Sequence, residues 1–222
     1  MICPVCGAAQ LTDFLSSASK RYLRCPECLA TVLDPVFHLS PDREKAHYDH
    51  HENDPDDPRY RRFLGKLCNP LMARLRPQSR GLDYGCGPGP ALAAMLREAG
   101  HDVAFYDPFY APDPTPLAQV YDFVTCSEVA EHFHQPAQNF ARMMGMVRPG
   151  GWLGVMTCFQ TDDACFAAWH YQKDPTHVVF YREKTLSCIA AAKGWSCDFP
   201  EKDVALMQRP VQHDPKAPNA AN

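Results

Sequence analysis

The chain has 222 residues, 45% hydrophobic and 11% aromatic, which suffices for one domain of ordinary size plus a small appendage. A formal net charge of −4 supplies no global field for a polyanion, and no apolar run approaches the roughly 18 residues that would span a bilayer. Met1-Ile2-Cys3-Pro4 has no basic-then-apolar signal pattern, and eleven cysteines, an odd number, point to a reducing cytoplasm rather than a disulfide framework.

The first elements are two cysteine knuckles. Cys3-Pro4-Val5-Cys6 and Cys25-Pro26-Glu27-Cys28 make C-x2-C-x18-C-x2-C, the spacing of a four-thiolate zinc ribbon. Each turn presents two sulfurs to one ion, and Cys3, Cys6, Cys25 and Cys28 together close a tetrahedron with no position left for substrate. The expected zinc is therefore structural. Leu11, Phe14 and Tyr22-Leu23-Arg24 read as short strand material. A module of about 35 residues buries little apolar surface, so metal is expected to supply most of its folding energy. The alternative, four ordinary buried cysteines, fits the paired spacing poorly. Residues 1–36 are assigned to this module.

Residues 37–77 read as a linker and lead-in helices. Asp49, His50, His51, Glu52, Asp54, Asp56 and Asp57 crowd together without fixed ligand spacing, which suits a solvated linker better than a second metal site. Asp57-Pro58 is a helix start. Tyr60, Phe63, Leu64, Leu67, Leu71, Met72 and Leu75 follow at helical spacing, with a break expected at Asn69-Pro70. Arg59, Arg61, Arg62, Lys66, Arg74, Arg76 and Arg80 share this stretch, either as a solvated face or as a track for RNA phosphates.

Gly81-Leu82-Asp83-Tyr84-Gly85-Cys86-Gly87-Pro88-Gly89 then reads as a strand emptying into a glycine turn. Glycines at alternate positions let the backbone approach a nucleoside cofactor where a Cβ would intrude. Leu92, Met95, Leu96 and Ala99 continue as a helix stopped by Gly100. A second strand, Asp102 to Tyr106, ends in Asp107, placed to accept hydrogen bonds from ribose hydroxyls. Next come an apolar strand, Tyr121 to Cys126, with Ser127-Glu128-Val129-Ala130-Glu131-His132 behind it. Val147-Arg148-Pro149-Gly150-Gly151 is a turn that runs into Trp152 to Met156.

Taken in this order, D-x-G-C-G-x-G, the acid closing the second strand, Y-D-x-V-x-x-x-E-V-x-E-H and the P-G-G turn resemble the class I S-adenosylmethionine-dependent methyltransferases over residues 78–209, whose own fourth-strand pattern begins F-D. The resemblance implies a Rossmann-like α/β fold with a mostly parallel sheet and an antiparallel final strand. It implies that Gly85, Cys86, Gly87 and Gly89 line the methionine moiety and that Asp107, with Pro108 beside it, takes the ribose. Cys126, Ser127 and Glu128 would border the sulfonium and the substrate, with Glu128 also a candidate catalytic group. Asp83 would touch the cofactor or fix the glycine turn. In that family the segment ahead of the first strand folds over the pocket, which gives Tyr48 and His51 a second role.

The chain departs from the family pattern at Pro108 to Val120. Thirteen proline-rich residues have no room for the usual helix and third strand, so adenine is left to stacking on Phe109 or Tyr110. Past the fifth strand, His170, Tyr171 and His177 are the further catalytic candidates, because this segment leaves a strand's carboxyl end and arches over the pocket. His132 and His134 are expected to cap the following helix or sit at its rim. Glu183 to Lys193 reads as a helix, Trp195–Phe199 and Val204–Gln208 as a closing strand pair, and 210–222 as a disordered tail.

The expected activity is methyl transfer to a small-molecule acceptor by in-line displacement, away from any membrane. The alternatives are an rRNA or tRNA base methyltransferase that grips RNA with the ribbon and basic helix, and a non-catalytic cofactor-binding module. Net acidity and the lack of an N-P-P-Y-like tetrad after Cys126 count against RNA.

Overall fold

The computed structural model describes residues 1–17, 19–50 and 53–211. His51 and the tail expected beyond Val211 lie outside the described residues.

The N-terminal stretch forms three antiparallel strands, β1 (Thr12–Ser16), β2 (Arg21–Arg24) and β3 (Thr31–Leu33). Two helices follow, α1 (Pro41–Tyr48) and α2 (Pro58–Met72). Part of the stretch read as linker is thus helical. The Asp57 carboxylate caps α2 by accepting from the Arg59 amide at 2.8 Å. Pro70 does not break α2 as expected. It lies inside the last turn, where its missing N–H forfeits one bond and the helix ends two residues later. Arg74 folds back there to donate to the Pro70 carbonyl at 2.9 Å.

The alternation of strand and helix then begins: β4 (Arg80–Tyr84), α3 (Ala91–Glu98), β5 (Asp102–Tyr106), β6 (Tyr121–Ser127), α4 (Pro136–Gly145) and β7 (Val147–Met156). The two-residue strand β8 (Val179–Phe180), α5 (Glu183–Ala191), β9 (Ser196–Glu201) and β10 (Val204–Gln208) are the last elements among the described residues. The central sheet has the order β5-β4-β6-β7-β10-β9. β5, β4, β6 and β7 run parallel, and β10 is antiparallel to both neighbours. No further strand flanks β5 among the described residues; a 3₁₀ turn at Thr115–Ala118 occupies the proline-rich stretch.

Parallel strands buried on both faces carry apolar side chains in both directions. Phe123 of β6 packs with Leu64, Leu67 and Leu71 of α2 and Leu92 and Leu96 of α3. Val124, one residue on, faces the opposite layer with Phe140 and Met143 of α4 and Leu186 of α5. The N-terminal sheet is continuous with this second layer. β3 pairs antiparallel with β8, and Tyr22, Phe166 and Phe180 meet edge to face at centroid distances of 5.0 to 5.8 Å. Burial against the larger sheet therefore adds apolar stabilisation that a lone 35-residue ribbon would lack.

β4 sits between β5 and β6, and the chain moves outward from it in both directions. The carboxyl ends of β4 and β6 thus frame the crevice in which ligands of open α/β sheets bind.

Candidate active site

The glycine turn leaves β4 under tight local control. The amides of Gly85 and Cys86 donate to the Tyr106 carbonyl at 2.7 and 3.2 Å, which ties the turn to the end of β5. Gly85 (φ 82°) and Gly87 (φ 63°) hold left-handed backbone that side chains disfavour. Asp107 clamps two segments together. Its Oδ2 accepts from the Gly87 amide at 3.0 Å, and its Oδ1 accepts from Phe109 and Tyr110 at 2.8 and 3.0 Å. Oδ2 keeps one lone pair for a further donor.

These elements enclose one side of a cavity of about 600 Å³ at the strand ends. Of the residues expected to touch the cofactor or the acceptor, Gly85, Cys86, Gly87, Asp107, Pro108, Phe109, Ser127, Glu128 and His177 line it. Tyr48 at the end of α1 closes another wall, its ring 5.8 Å from Phe109 and 5.2 Å from His132. The Ser127 hydroxyl is buried without a hydrogen-bond partner, a polar atom that a ligand would satisfy.

Other expected contacts fall elsewhere. Asp83 lies beneath the turn, outside the cavity lining. It accepts from the Thr125 hydroxyl at 2.8 Å and from the Ala93 amide, and burial pushes it up to about 6 against those bonds. Its place is under the first turns of α3. Cys126 is fully buried in the core, because consecutive strand residues point to opposite faces and Ser127 takes the open one. Gly89 faces the Asn53 backbone rather than the cavity. His170 is exposed on a 3₁₀ turn and does not line the cavity.

Tyr171 lies behind the cavity wall. Its hydroxyl donates to Glu131 Oε1 at 2.6 Å, receives the Cys158 amide at 3.3 Å and stands 3.1 Å from Thr157 Oγ1. Burial, then the carboxylates of Glu131 and Glu128, push this phenol well above its usual range, so it stays protonated and holds Glu131 in place.

Glu128 sits one residue beyond β6 in left-handed backbone (φ 52°), a strained conformation that turns its carboxyl into the cavity lining. Burial, then Glu131 and Asp203, raise it to about 9. The buried ring of His177 presents Nδ1 to the Tyr171 carbonyl at 2.7 Å, and burial lowers its pKa, favouring the neutral form. His132 presents Nδ1 to the Thr176 carbonyl at 3.1 Å and packs edge-on to His177 at 4.8 Å. It is thus part of the cavity wall, whereas capping had been one expected role. His134 instead pairs with Glu44 of α1 at 2.6 Å. Asp174 lines the cavity too; burial would raise it, but Thr176, His177 and His47 bring it to about 2. Sequence reasoning gave Glu131 no role, although it lies in the same E-V-x-E-H pattern as His132.

The cysteine knuckles repeat one another. Cys3 and Cys25 amides donate to the Ala8 and Ala30 carbonyls, both at 2.9 Å, and Gly7 and Leu29 amides return to Cys3 and Cys25 at 3.0 and 3.1 Å. The residue after each knuckle is left-handed, Gly7 at φ 78° and Leu29 at φ 62°. The four sulfurs lie within 4.8 Å of one another, with Cys3–Cys28 at 3.8 Å and Cys6–Cys25 at 3.6 Å. A tetrahedron with roughly 2.3 Å zinc–sulfur bonds has edges of about 3.8 Å.

The strand order, glycine turn and pocket define a class I S-adenosylmethionine-dependent methyltransferase fold. Residues 48–198 match the family described as "Methyltransferase domain", and the chain belongs to it. The ubiquinone biosynthesis O-methyltransferase of Serratia proteamaculans (strain 568) is 35% identical over 87 residues, covering 39% of this chain and 36% of that protein. That of Proteus mirabilis (strain HI4320) is 28% identical over 102 residues, covering 46% and 42%. The chain thus matches less than half the length of these relatives. Burkholderia thailandensis 1,6-didemethyltoxoflavin-N1-methyltransferase, solved with 1,6-didemethyltoxoflavin and S-adenosylhomocysteine, superposes with a TM-score of 0.55. It is 16% identical, and the superposition covers 90% of this chain and 99% of that one. An O-methyltransferase family protein from the same organism superposes at 0.51 with 16% identity, over 77% of this chain and 64% of that one. At such identity these likenesses concern the fold.

Proposed function

We propose that this chain transfers the methyl group of S-adenosylmethionine to a small-molecule acceptor docked against His177 and His132. The observation that carries this reading is a single cavity with the glycine turn and Ser127 on one side and two buried-edge imidazoles on another. S-adenosylmethionine, when bound, supplies an electrophilic methyl on a positively charged sulfur.

In this reading the amino-acid end of the cofactor lies against Gly85 and Gly87, where no Cβ intrudes, with the Ser127 hydroxyl finding its partner there. The free lone pair of Asp107 Oδ2 accepts a ribose hydroxyl, and Tyr48 and Phe109 supply aromatic surface for the adenine. Cavity walls on several sides exclude water and align the acceptor for in-line attack, the main source of acceleration in such a displacement. His177 donates its Nδ1–H to Tyr171, so its Nε2 keeps a lone pair for an acceptor proton. Glu128 borders the sulfonium, and Tyr171 acts as a positioning residue through Glu131.

A small molecule is favoured over RNA because four of the seven residues in the basic run are paired with sequence-distant acids of this chain. Arg61 pairs with Glu98, Lys66 with Asp203, Arg74 with Asp198 and Arg80 with Asp102. The names of the curated relatives and of the toxoflavin enzyme point the same way. Among the described residues no helix is long and apolar enough to cross a membrane. We assign Cys3, Cys6, Cys25 and Cys28 a structural zinc, with residues 1–36 as its module and 78–209 as the cofactor-binding domain.

The test is incubation of the purified chain with methyl-labelled S-adenosylmethionine and a cell extract separated into small molecules, RNA and protein. Label is expected in the small-molecule fraction. Label confined to RNA would reverse the assignment of the acceptor.

A further inference from the structure

We propose that Glu131, His132 and His177 form a binding site for one first-row divalent transition-metal ion at the acceptor side of the cavity. The role given to the ion rests on the methyltransferase reading above; the site itself rests on side-chain geometry.

One ligand atom from each of the three residues lies within 4.8 Å of the others, and all three residues line the cavity. Both imidazoles are oriented for coordination. Backbone carbonyls only accept hydrogen bonds, so the contacts from His132 Nδ1 to Thr176 and from His177 Nδ1 to Tyr171 require hydrogen on both Nδ1 atoms. With Nδ1 so committed, Nε2 is the nitrogen of each ring left to ligate, the arrangement in which an outer carbonyl fixes the tautomer of a metal-ligating histidine.

Those lone pairs are not spent on carboxylates. His132 Nε2 stands 3.9 Å from Glu131 Oε1, and His177 Nε2 stands 4.0 Å from Asp174 Oδ2, both beyond hydrogen-bond range. Glu131 supplies the second, independent observation. It is 1% exposed, and while its Oε1 takes the Tyr171 hydroxyl, its buried Oε2 has no hydrogen-bond partner. Leaving a buried carboxylate oxygen without a donor is costly. A cation bridging it to the two Nε2 atoms removes that cost.

Two imidazoles and one carboxylate favour iron(II), manganese, cobalt, nickel or zinc over magnesium or calcium, which prefer oxygen alone. The set contains no sulfur and is separate from the cysteine knuckles. An ion here lowers the pKa of an acceptor hydroxyl in the cavity. The O–H bond breaks with its proton passing to water, and the oxygen pair forms the new C–O bond. The methyl–sulfur bond breaks with its pair retained by sulfur, which becomes a neutral thioether. With the ion bound, His177 Nε2 is a ligand and acts on the acceptor through the ion; the direct proton transfer described above belongs to the metal-free ring.

The experiment is equilibrium dialysis of the full chain against cobalt(II), with metal content measured by mass spectrometry for wild type, His132→Gln/His177→Gln and Glu131→Gln. Wild type is expected to hold one more cobalt per chain than the double variant, whatever occupies the cysteines. Glu131→Gln is expected to weaken uptake roughly tenfold or more. S-adenosylhomocysteine affinity, measured in parallel, should stay within about twofold in all three, since the glycine turn is untouched. Equal cobalt content in wild type and double variant overturns the proposal. Should the double variant fail to fold, the single His132→Gln variant at the less buried ring gives the same comparison. Wild type that takes up this cobalt but no S-adenosylhomocysteine would uphold the metal site and remove the methyltransferase reading.

Discussion

The carbonyl of Asn53 lies against the Cα of Gly89, so close that a methyl group at Gly89 would fall 1.8 Å from its oxygen. The segment leading into α2 is thereby seated on the glycine turn, and Asn53 itself lines the cavity. Gly89→Ala should push this segment outward. The expected loss is about 1–3 kcal/mol of stability, as for other overpacked sites. Thermal melts and calorimetry check it, with S-adenosylhomocysteine binding expected to weaken about tenfold, or roughly 1.4 kcal/mol.

His177→Gln should lower turnover by roughly 10²- to 10⁴-fold, the range for loss of a group that manages an acceptor's proton. Cofactor affinity should hold, because His177 lies away from the glycine turn. Steady-state kinetics with calorimetry separate the two effects. His170→Gln, on the exposed turn, should leave both unchanged.

Glu128 gives a pH dependence. Its carboxyl rises from an ordinary 4.5 to about 9 on folding, chiefly through burial, so the folded chain holds this proton more tightly than the unfolded one. That contribution to stability is full below the unfolded value and is lost as pH rises through the folded one. Glu128→Gln should therefore show a flatter Tm between pH 6 and pH 9 than wild type. A bound sulfonium favours the carboxylate, so S-adenosylmethionine should expel protons near pH 8, read as a buffer-dependent heat. S-adenosylhomocysteine, without that charge, should expel fewer.

Much of this was legible in the chain because it is governed by local rules. The strand, glycine turn and helix from Arg80 to Glu98, the Asp57 cap and the paired knuckle spacing depend on neighbours a few residues apart. Four prolines from Pro108 to Pro116 leave no room for a further helix and strand, and among the described residues no strand flanks β5 on that side. The errors concern direction and tertiary setting. Cys126 and Ser127 are adjacent in one strand, and only sheet packing decides which reaches the cavity. His170 and His177 share a segment, yet the Tyr171 carbonyl seats one ring while the other points to solvent. Glu131 has no local signature, because the Tyr171 hydroxyl that holds it lies forty residues later in the chain. Propensity alone predicts a break at Pro70, but its place in a final turn makes the cost small.

The cysteine knuckles are joined to the rest of the molecule through side chains as well as strands. The Thr185 hydroxyl of α5 donates to the Cys28 carbonyl at 2.8 Å, and the Ala137 amide of α4 donates to the Pro4 carbonyl at 3.1 Å. If these cysteines hold the proposed zinc, its loss should therefore register in the whole fold. Cys25→Ser, or treatment with a strong chelator, should cost about 3 kcal/mol or more, roughly 6–12 °C in Tm for a chain of this size. Calorimetric scanning should show one lowered transition rather than a separate early one.

In the proposed mechanism the cavity at the ends of β4 and β6 holds the methyl donor with its amino-acid end against the glycine turn. Calorimetric titration of S-adenosylhomocysteine into wild type and Gly87→Val tests it most directly. One saturable site per chain is predicted for wild type, weakened about a hundredfold or more (roughly 2.7 kcal/mol) by the valine, with no saturable heat from NAD. Equal affinity in the two proteins, or saturable binding of NAD alone, would contradict it.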